Sequence, residues 1–214
     1  MFITFEGPEG SGKTTQIERA AAYLAKRGIA VTRTREPGGT EIADQIRDVL
    51  LRADNHDLVP VAELFLYFAS RAQHVAEKIR PALQAGHVVL CDRYADSTLA
   101  YQGFARGLDI DLIHLLNDIA TENLDPDLTL LFDLPVDVGI ARARARAERF
   151  QPEAREDRFE QEELAFHEKL RRGFLQLAGQ HPERYRVIDA ARDVEEVWSQ
   201  TKVTLDVALM QEGE

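Results

Sequence analysis

GPEGSGKTT, residues 7–15, comes directly after the β-rich run FITFE at 2–6 and decides the fold. Gly7, Gly12, Lys13 and Thr14 meet the pattern G-x-x-x-x-G-K-[ST] in full. In such a loop, backbone N–H groups and the dipole of the next helix hold phosphates. The strand before it and the helical period after it are the context this mechanism requires. The whole turn (Gly7, Pro8, Glu9, Gly10, Ser11, Gly12, Lys13, Thr14, Thr15) is therefore expected around the phosphates of a nucleotide. Lys13 would reach the outer ones and the Thr14 hydroxyl would hold Mg²⁺. Glu9 sits oddly there, because a carboxylate repels the anions the loop is built to hold.

Outward from the loop, residues 13–27 read as a helix with Ile17, Ala20, Ala21 and Leu24 on one face, and Gly28 as its stop. IAVTRT (29–34) reads as a second strand, REPGGT (35–40) as a turn and 41–52 as a helix. AELFLYFASRAQHVAEKIR (62–80) is helical and apolar on more than one face at its start, so it is buried on several sides or meets another chain. HVVLCD (87–92) has the pattern of a buried parallel strand. Residues 109–122 read as a helix, DLTLLFDLP (127–135) as a strand, 136–150 and 160–178 as helices, RYRVIDA (184–190) as a fifth strand and 194–210 as a closing helix. Strand–helix alternation predicts an α/β fold: a parallel five-stranded sheet with helices on both faces and a ligand site at the C-terminal strand ends.

The 214 residues suit one domain. No run of about 18 apolar residues occurs, so no membrane span is expected. The N-terminus lacks the basic region and apolar stretch of an export signal. Cys91 is the only cysteine, which excludes an intrachain disulfide and suits a reducing, cytoplasmic setting. A net charge of −11 argues against a nucleic-acid partner, though not against small phosphorylated substrates held by local arginines.

Such arginines exist. Arg35 closes the second strand, Arg93 comes after the third, and Arg71 lies on the 62–80 helix one turn after Tyr67. Two of the three stand at C-terminal strand ends beside the loop, and guanidinium groups match phosphate oxygens in pairs. They imply a second phosphorylated ligand, unless each is an ordinary surface residue. Arg142, Arg146 and Arg149 share one helical face in ARARARAER (141–149). They read either as a solvated face or as a mobile lid that excludes water from phosphates in transfer.

Together these segments resemble thymidylate kinase, a family of P-loop nucleoside monophosphate kinase-like fold that phosphorylates dTMP to dTDP with ATP. The resemblance runs in order through FEGPEGSGKTTQ, TREPGGT, LFLYFASRAQHV, CDRYADSTLAYQG, the arginine segment ending in EDRFEQE, and VIDA. The loop alone is unspecific, whereas REPGGT with DRYADSTLAYQG is highly specific. The resemblance implies that Glu9 meets the sugar 3′-hydroxyl of dTMP, which would explain the carboxylate. It places Arg35 and Arg93 near the dTMP phosphate, Tyr67 on thymine with Phe68 as a neighbouring candidate, and Arg71 on a thymine carbonyl. Ser97, Thr98 and Gln102 would lie in a loop that reads the base. Tyr101 would crowd the 2′ position, and Asp92 would stand near the metal. Arg192, after VIDA, would flank adenine, and Glu36-Pro37 could hold a cis bond at the substrate side. Positions 8–11 carry no arginine, which implies the subtype whose lid, about 141–158, supplies catalytic arginines; Arg158 competes with Arg142, Arg146 and Arg149 for that role. A homodimer through central helices is also implied.

The acceptor, a phosphate oxygen, is already anionic, so no general base is needed. Two rivals remain at this point. A deoxynucleoside kinase would use Glu36 as base towards a 5′-hydroxyl. A non-catalytic nucleotide switch would bind nucleotide and a partner, although the guanine-switch motifs N-K-x-D and D-x-x-G do not occur.

Overall fold

The computed structural model describes residues 1–52, 54, 55, 57–150 and 162–211. Strands β1 (Phe2–Glu6), β2 (Val31–Arg35), β3 (Val88–Asp92), β4 (Leu128–Asp133) and β5 (Tyr185–Asp189) pair in parallel in the order β2-β3-β1-β4-β5. The expected five-stranded parallel sheet is therefore present. β1 is the pivot of this order: β3 lies on one side of it and β4 on the other. In an open parallel sheet that reversal opens a crevice beyond the C-terminal end of the pivot strand, which is where the phosphate loop leaves β1.

Alternation along β1 sorts the two faces. Ile3 and Phe5 pack with α1 (Lys13–Lys26) and α9 (Val194–Gln211), joined by Leu128, Leu130 and Phe132 of β4. Phe2 points the other way, into a cluster with Val89 and Cys91 of β3. A third cluster joins Leu64 and Phe68 of α3 (Pro60–His74), Ile113 of α6 (Ile110–Thr121) and Leu170, Phe174 and Leu177 of α8 (Leu164–Gln180). The central strands are thus covered on both faces, the condition for apolar runs without strict alternation. Buried Cys91 has its thiol pushed well up by burial, so it serves as packing.

α2 (Glu41–Leu51) comes after REPGGT and is capped by the Thr40 hydroxyl, which accepts from the Ala43 N–H. The expected 62–80 helix begins earlier, with Pro60 in its first turn. Beyond His74 it continues through a π-helical stretch, Val75–Ile79, into α4 (Arg80–Gln84). Its start leaves Val61 and Phe65 exposed, as are Ile42 and Val49 of α2 and Leu115 and Ile119 of α6.

One expectation is corrected. The segment read as a base-reading loop is helical: α5 (Ala95–Thr98) runs into a π-helical stretch, Leu99–Ala105. Polar Asp96, Ser97, Thr98 and Gln102 are buried there along with Leu99 and Ala100. Burial on all sides erases the polar–apolar period by which a helix is read from sequence.

Candidate active site

A cavity of about 460 Å³ opens at the C-terminal ends of β1, β2 and β3, within the range of small-molecule sites. Its wall runs from the phosphate loop past Asp92 and Arg93 to Tyr67, Arg71 and Gln102.

The loop is shaped by glycine. Gly7 leaves β1 at φ 137°, and a Cβ there would stand 2.4 Å from the Phe132 carbonyl oxygen, so no other residue lets the loop lie against β4. Gly12, at φ 84°, turns the chain into α1, whose first turn has no side-chain cap. Those first-turn N–H groups face the loop, as anion binding requires. Buried Lys13 donates to the carbonyls of Gly7 and Pro8, at 2.8 and 2.9 Å, and to Ser11 Oγ at 3.1 Å. Burial, and then the nearby Arg93 charge, pull its ammonium down to about 7.

Arg93 lies just beyond β3 with φ 67°, in the left-handed region. Its guanidinium donates to the Gly7 carbonyl and to Glu9 Oε1, both at 3.0 Å, and lies over the Tyr101 ring at 5.1 Å. The Tyr101 hydroxyl donates to the same Glu9 oxygen. Glu9 Oε2 is buried and has no hydrogen-bond partner among the described residues. Burial alone would push the Glu9 carboxyl up, but Arg93, Lys13 and Tyr101 more than offset that and hold it below the usual range. An ionised, desolvated oxygen without a donor costs free energy unless a ligand supplies one.

Beneath this turn lies Glu6, which sequence reading missed. Its oxygens accept from the Tyr94 N–H at 2.7 Å and the Ser97 hydroxyl at 2.6 Å. Burial and then Asp96 push its carboxyl up to about 8. The single signal for it was a charged residue closing an otherwise uncharged strand.

On the far wall, Glu36 accepts from Arg71 Nε at 2.8 Å and is bonded to His74 Nδ1 at 3.0 Å, with all three side chains buried. Burial pushes the Glu36 carboxyl up, and Arg71 and His74 more than reverse this, leaving it lowered. A lowered carboxylate with both oxygens engaged is a poor proton acceptor, so the rival role of Glu36 as a base loses its chemistry. The Glu36–Pro37 bond is cis. Arg71 also donates to the Tyr94 carbonyl and to Thr98 Oγ1, at 3.0 and 2.9 Å. Phe68 faces the core, its ring under the Arg71 guanidinium at 5.4 Å, while Tyr67 stays on the cavity wall.

Exposed Arg35 pairs with Asp44 at 3.0 Å and lines the cavity beside Arg47, which donates to the Pro37 carbonyl at 2.8 Å. Arg47 was also missed; an arginine between Ala43 and Leu50 on the inner face of α2 was its signal. Ser97, Thr98 and Gln102 all reach the wall. Thr14 Oγ1 donates to Asp92 Oδ2 at 3.3 Å, so two oxygen donors meet where the loop enters α1.

Of the arginines on α7 (Val136–Phe150), Arg142 lines the cavity and donates to the carbonyls of Ala190, Ala191 and Arg192, at 2.6, 3.1 and 3.3 Å. It ties α7 to the turn after β5. The Arg192 side chain itself is exposed and paired with Asp189 at 2.8 Å. Arg146 and Arg149 lie on the α7 backbone with side chains outside the described part, and Arg158 lies outside the described residues.

Comparison with known proteins converges on one family. Residues 5–201 match the family described as thymidylate kinase. A thymidylate kinase of Syntrophotalea carbinolica is 58% identical over 210 residues, 98% of this chain and 96% of that one. One from Geobacter sulfurreducens is 60% identical over 194 residues, 91% of each chain. The crystal structure of thymidylate kinase from Ehrlichia chaffeensis superposes with a TM-score of 0.76 at 35% identity, covering 96% of this chain and 98% of that one.

Proposed function

Because this chain belongs to the thymidylate kinase family, we infer that it transfers the terminal phosphoryl group of ATP to dTMP, giving dTDP and ADP. It is a phosphotransferase of P-loop nucleoside monophosphate kinase-like fold. The observation that carries the detailed reading is Glu9: Arg93 and Tyr101 hold one of its oxygens, and the other is buried without a donor among the described residues, on the wall of the cavity. A sugar hydroxyl is the donor that fits, and the loop's backbone N–H groups remain for the triphosphate.

Lys13 and the uncapped start of α1 hold the outer phosphates of ATP. Arg93 stands between donor and acceptor, with Arg35 at the acceptor phosphate. Tyr67 and Arg71 hold the base with Ser97, Thr98 and Gln102, and the Tyr101 ring closes the side where a 2′-hydroxyl would stand. The acceptor oxygen is anionic from the start, so the protein needs no base; it aligns two polyanions and offsets their repulsion. The pairing of Glu36 with Arg71 and His74 supports that view over the deoxynucleoside kinase. Thr14 and Asp92 offer the hard oxygen donors that suit Mg²⁺, which keeps waters and phosphate ligands besides one or two protein groups. Those two residues would hold the ion, which would supply positive charge against the phosphates.

The chain acts as one P-loop domain, with 141–158 as a lid of the subtype that supplies catalytic arginines from Arg146, Arg149 or Arg158. Arg142, tied to the turn at 190–192, anchors the root of that lid. The exposed apolar side chains of α2, α3 and α6 support a homodimer. Among the described residues no helix is long and apolar enough to cross a membrane, and we place the enzyme in the cytoplasm.

The deciding experiment is a panel of nucleoside monophosphates, with thymidine included, incubated with ATP and Mg²⁺ and read as ADP formed. The reading expects turnover on dTMP far above the rest. Consumption of thymidine in place of dTMP, or nucleotide binding without turnover, would overturn it.

A further inference from the structure

Gln102 and Glu63 meet behind the base end of the cavity. Glu63, in the first turn of α3, is 1% exposed, and Gln102, in the π-helical stretch 99–105, is equally buried while still lining the cavity. Gln102 Nε2 donates to Glu63 Oε1 at 2.7 Å. Arg106 Nε donates to the same oxygen at 3.0 Å, and its Nη2 reaches Glu162 Oε1 at 2.9 Å. Glu63 does not itself line the cavity.

An amide has one donating end and one accepting end, and nothing in its shape says which way round it sits. A carboxylate decides the matter. Paired with a guanidinium, Glu63 can only accept, so the NH₂ of Gln102 must face it. The other end, Oε1, receives no donor among the described residues and is left for the cavity. Arg71, on the same wall, can only donate. Four of its five N–H groups are taken by Glu36, Asn117, Tyr94 and Thr98, so one remains, and the wall presents a donor as well as an acceptor. That pattern is complementary to a base edge carrying a carbonyl next to a ring N–H, as thymine and uracil do, and opposed to the amino group and bare ring nitrogen of cytosine.

We propose that Glu63 sets base selectivity by fixing which end of the Gln102 amide faces the cavity. The inference rests on the dTMP reading above and adds to it a positioning residue that touches no substrate. Substituting glutamine for Glu63 removes the constraint. The introduced amide can present its carbonyl or its NH₂ to Gln102, and Gln102 can then turn its own NH₂ towards the base.

The test is kcat/KM for dTMP, dUMP and dCMP in the parent enzyme and in Glu63→Gln, Glu63→Asp and Gln102→Leu. The dTMP/dCMP ratio is expected to fall by about tenfold or more in E63Q and to stay near the parental value in E63D, which remains acceptor-only. The dTMP/dUMP ratio should change by no more than about twofold in every variant, because those two bases share the edge in question. A structural role alone would lower activity on all three substrates together. An E63Q enzyme with the parental dTMP/dCMP ratio overturns the inference. So does a Q102L enzyme as selective as the parent, an arm that can overturn the inference even where E63Q fails to fold. A parent enzyme inactive on dTMP would instead sink the functional reading.

Discussion

Gly10 of the phosphate loop and Gly139 of α7 meet backbone to backbone: a Cβ built on Gly10 would stand 2.1 Å from the Gly139 carbonyl oxygen. In return, a Cβ on Gly139 would stand 2.8 Å from the carbonyl oxygen of Glu9. The helix that carries the arginine series is thus seated directly on the glycine turn after β1. A shift of one must displace the other, since close-packed backbone has no slack.

Gly139→Ala should therefore be harmful despite the better helix propensity of alanine. A destabilisation of about 1–3 kcal/mol is expected, from overpacking against main chain. Gly179, in α8, meets nothing within 4 Å, and Gly179→Ala should stabilise by about 0.5–1 kcal/mol. Thermal unfolding of the two variants should move Tm in opposite directions. A fall of equal size in both would mean that the contact is irrelevant.

Lys13→Ala should lower turnover by about a hundredfold or more while dTMP binding changes by less than about threefold. Steady-state kinetics and dTMP titration read the two separately. Unchanged turnover would remove Lys13 from the chemistry.

The Lys13 ammonium, held at about 7 by burial and by Arg93, gives a second signature. A triphosphate supplies the opposite charge and raises it again. Near pH 8, nucleotide binding should then take up a proton, and affinity should weaken as pH rises further. Calorimetry in buffers of different ionisation enthalpy would detect the uptake, and Lys13→Met should abolish it. A heat independent of buffer would refute the assignment.

Glu9→Gln replaces an ionised acceptor with a neutral amide, so a 3′-hydroxyl at the buried Oε2 position loses its charge-assisted bond. KM for dTMP is expected to rise by about tenfold or more, with KM for ATP nearly unchanged. The parent should suffer a comparable loss with 3′-deoxy-dTMP, and the variant should lose little more on that substrate. Two independent, additive losses would show that Glu9 does not serve the 3′-hydroxyl.

Glu6 predicts a stability profile. Its folded-state carboxyl is raised to about 8, so between the ordinary carboxylate range and pH 8 the folded chain holds more protons than the unfolded one. That contribution is full in acid and is lost as pH rises through the window. Glu6→Gln should flatten the parent's decline, and the Tm difference between variant and parent should grow in the variant's favour from pH 5 to pH 8. A constant difference would place the titration elsewhere.

Much of the fold was legible because strands and helices are local. FITFE, HVVLCD and DLTLLFDLP announce buried strands by composition. GPEGSGKT dictates a turn by its glycines, and the apolar spacing of Ile17, Ala20 and Leu24 dictates the helix after it. These signals span only a few residues, so a linear reading recovers them, and the alternation of elements then implies a parallel sheet. The ARARARAER series showed three arginines on one face. Only packing could show that Arg142 is committed to the carbonyls of the turn after β5. In sequence, Tyr67 is the first candidate for the base and Phe68 its neighbouring alternative; packing sends Phe68 into the core and leaves Tyr67 on the cavity wall. Residues 95–105 escaped because burial on every side leaves no period to read.

The sequence by itself determined where the glycine turn and its lysine leave the first strand, which arginines stand at strand ends, and the family to which the chain belongs. The tertiary structure decided which groups are desolvated and by whom each is partnered: Glu6 under the Arg93 turn, Glu36 between Arg71 and His74, Gln102 against Glu63. Those pairings join residues far apart in the chain. Their energies depend on burial and on the orientation of each donor, which exist only once the sheet and its helices have packed.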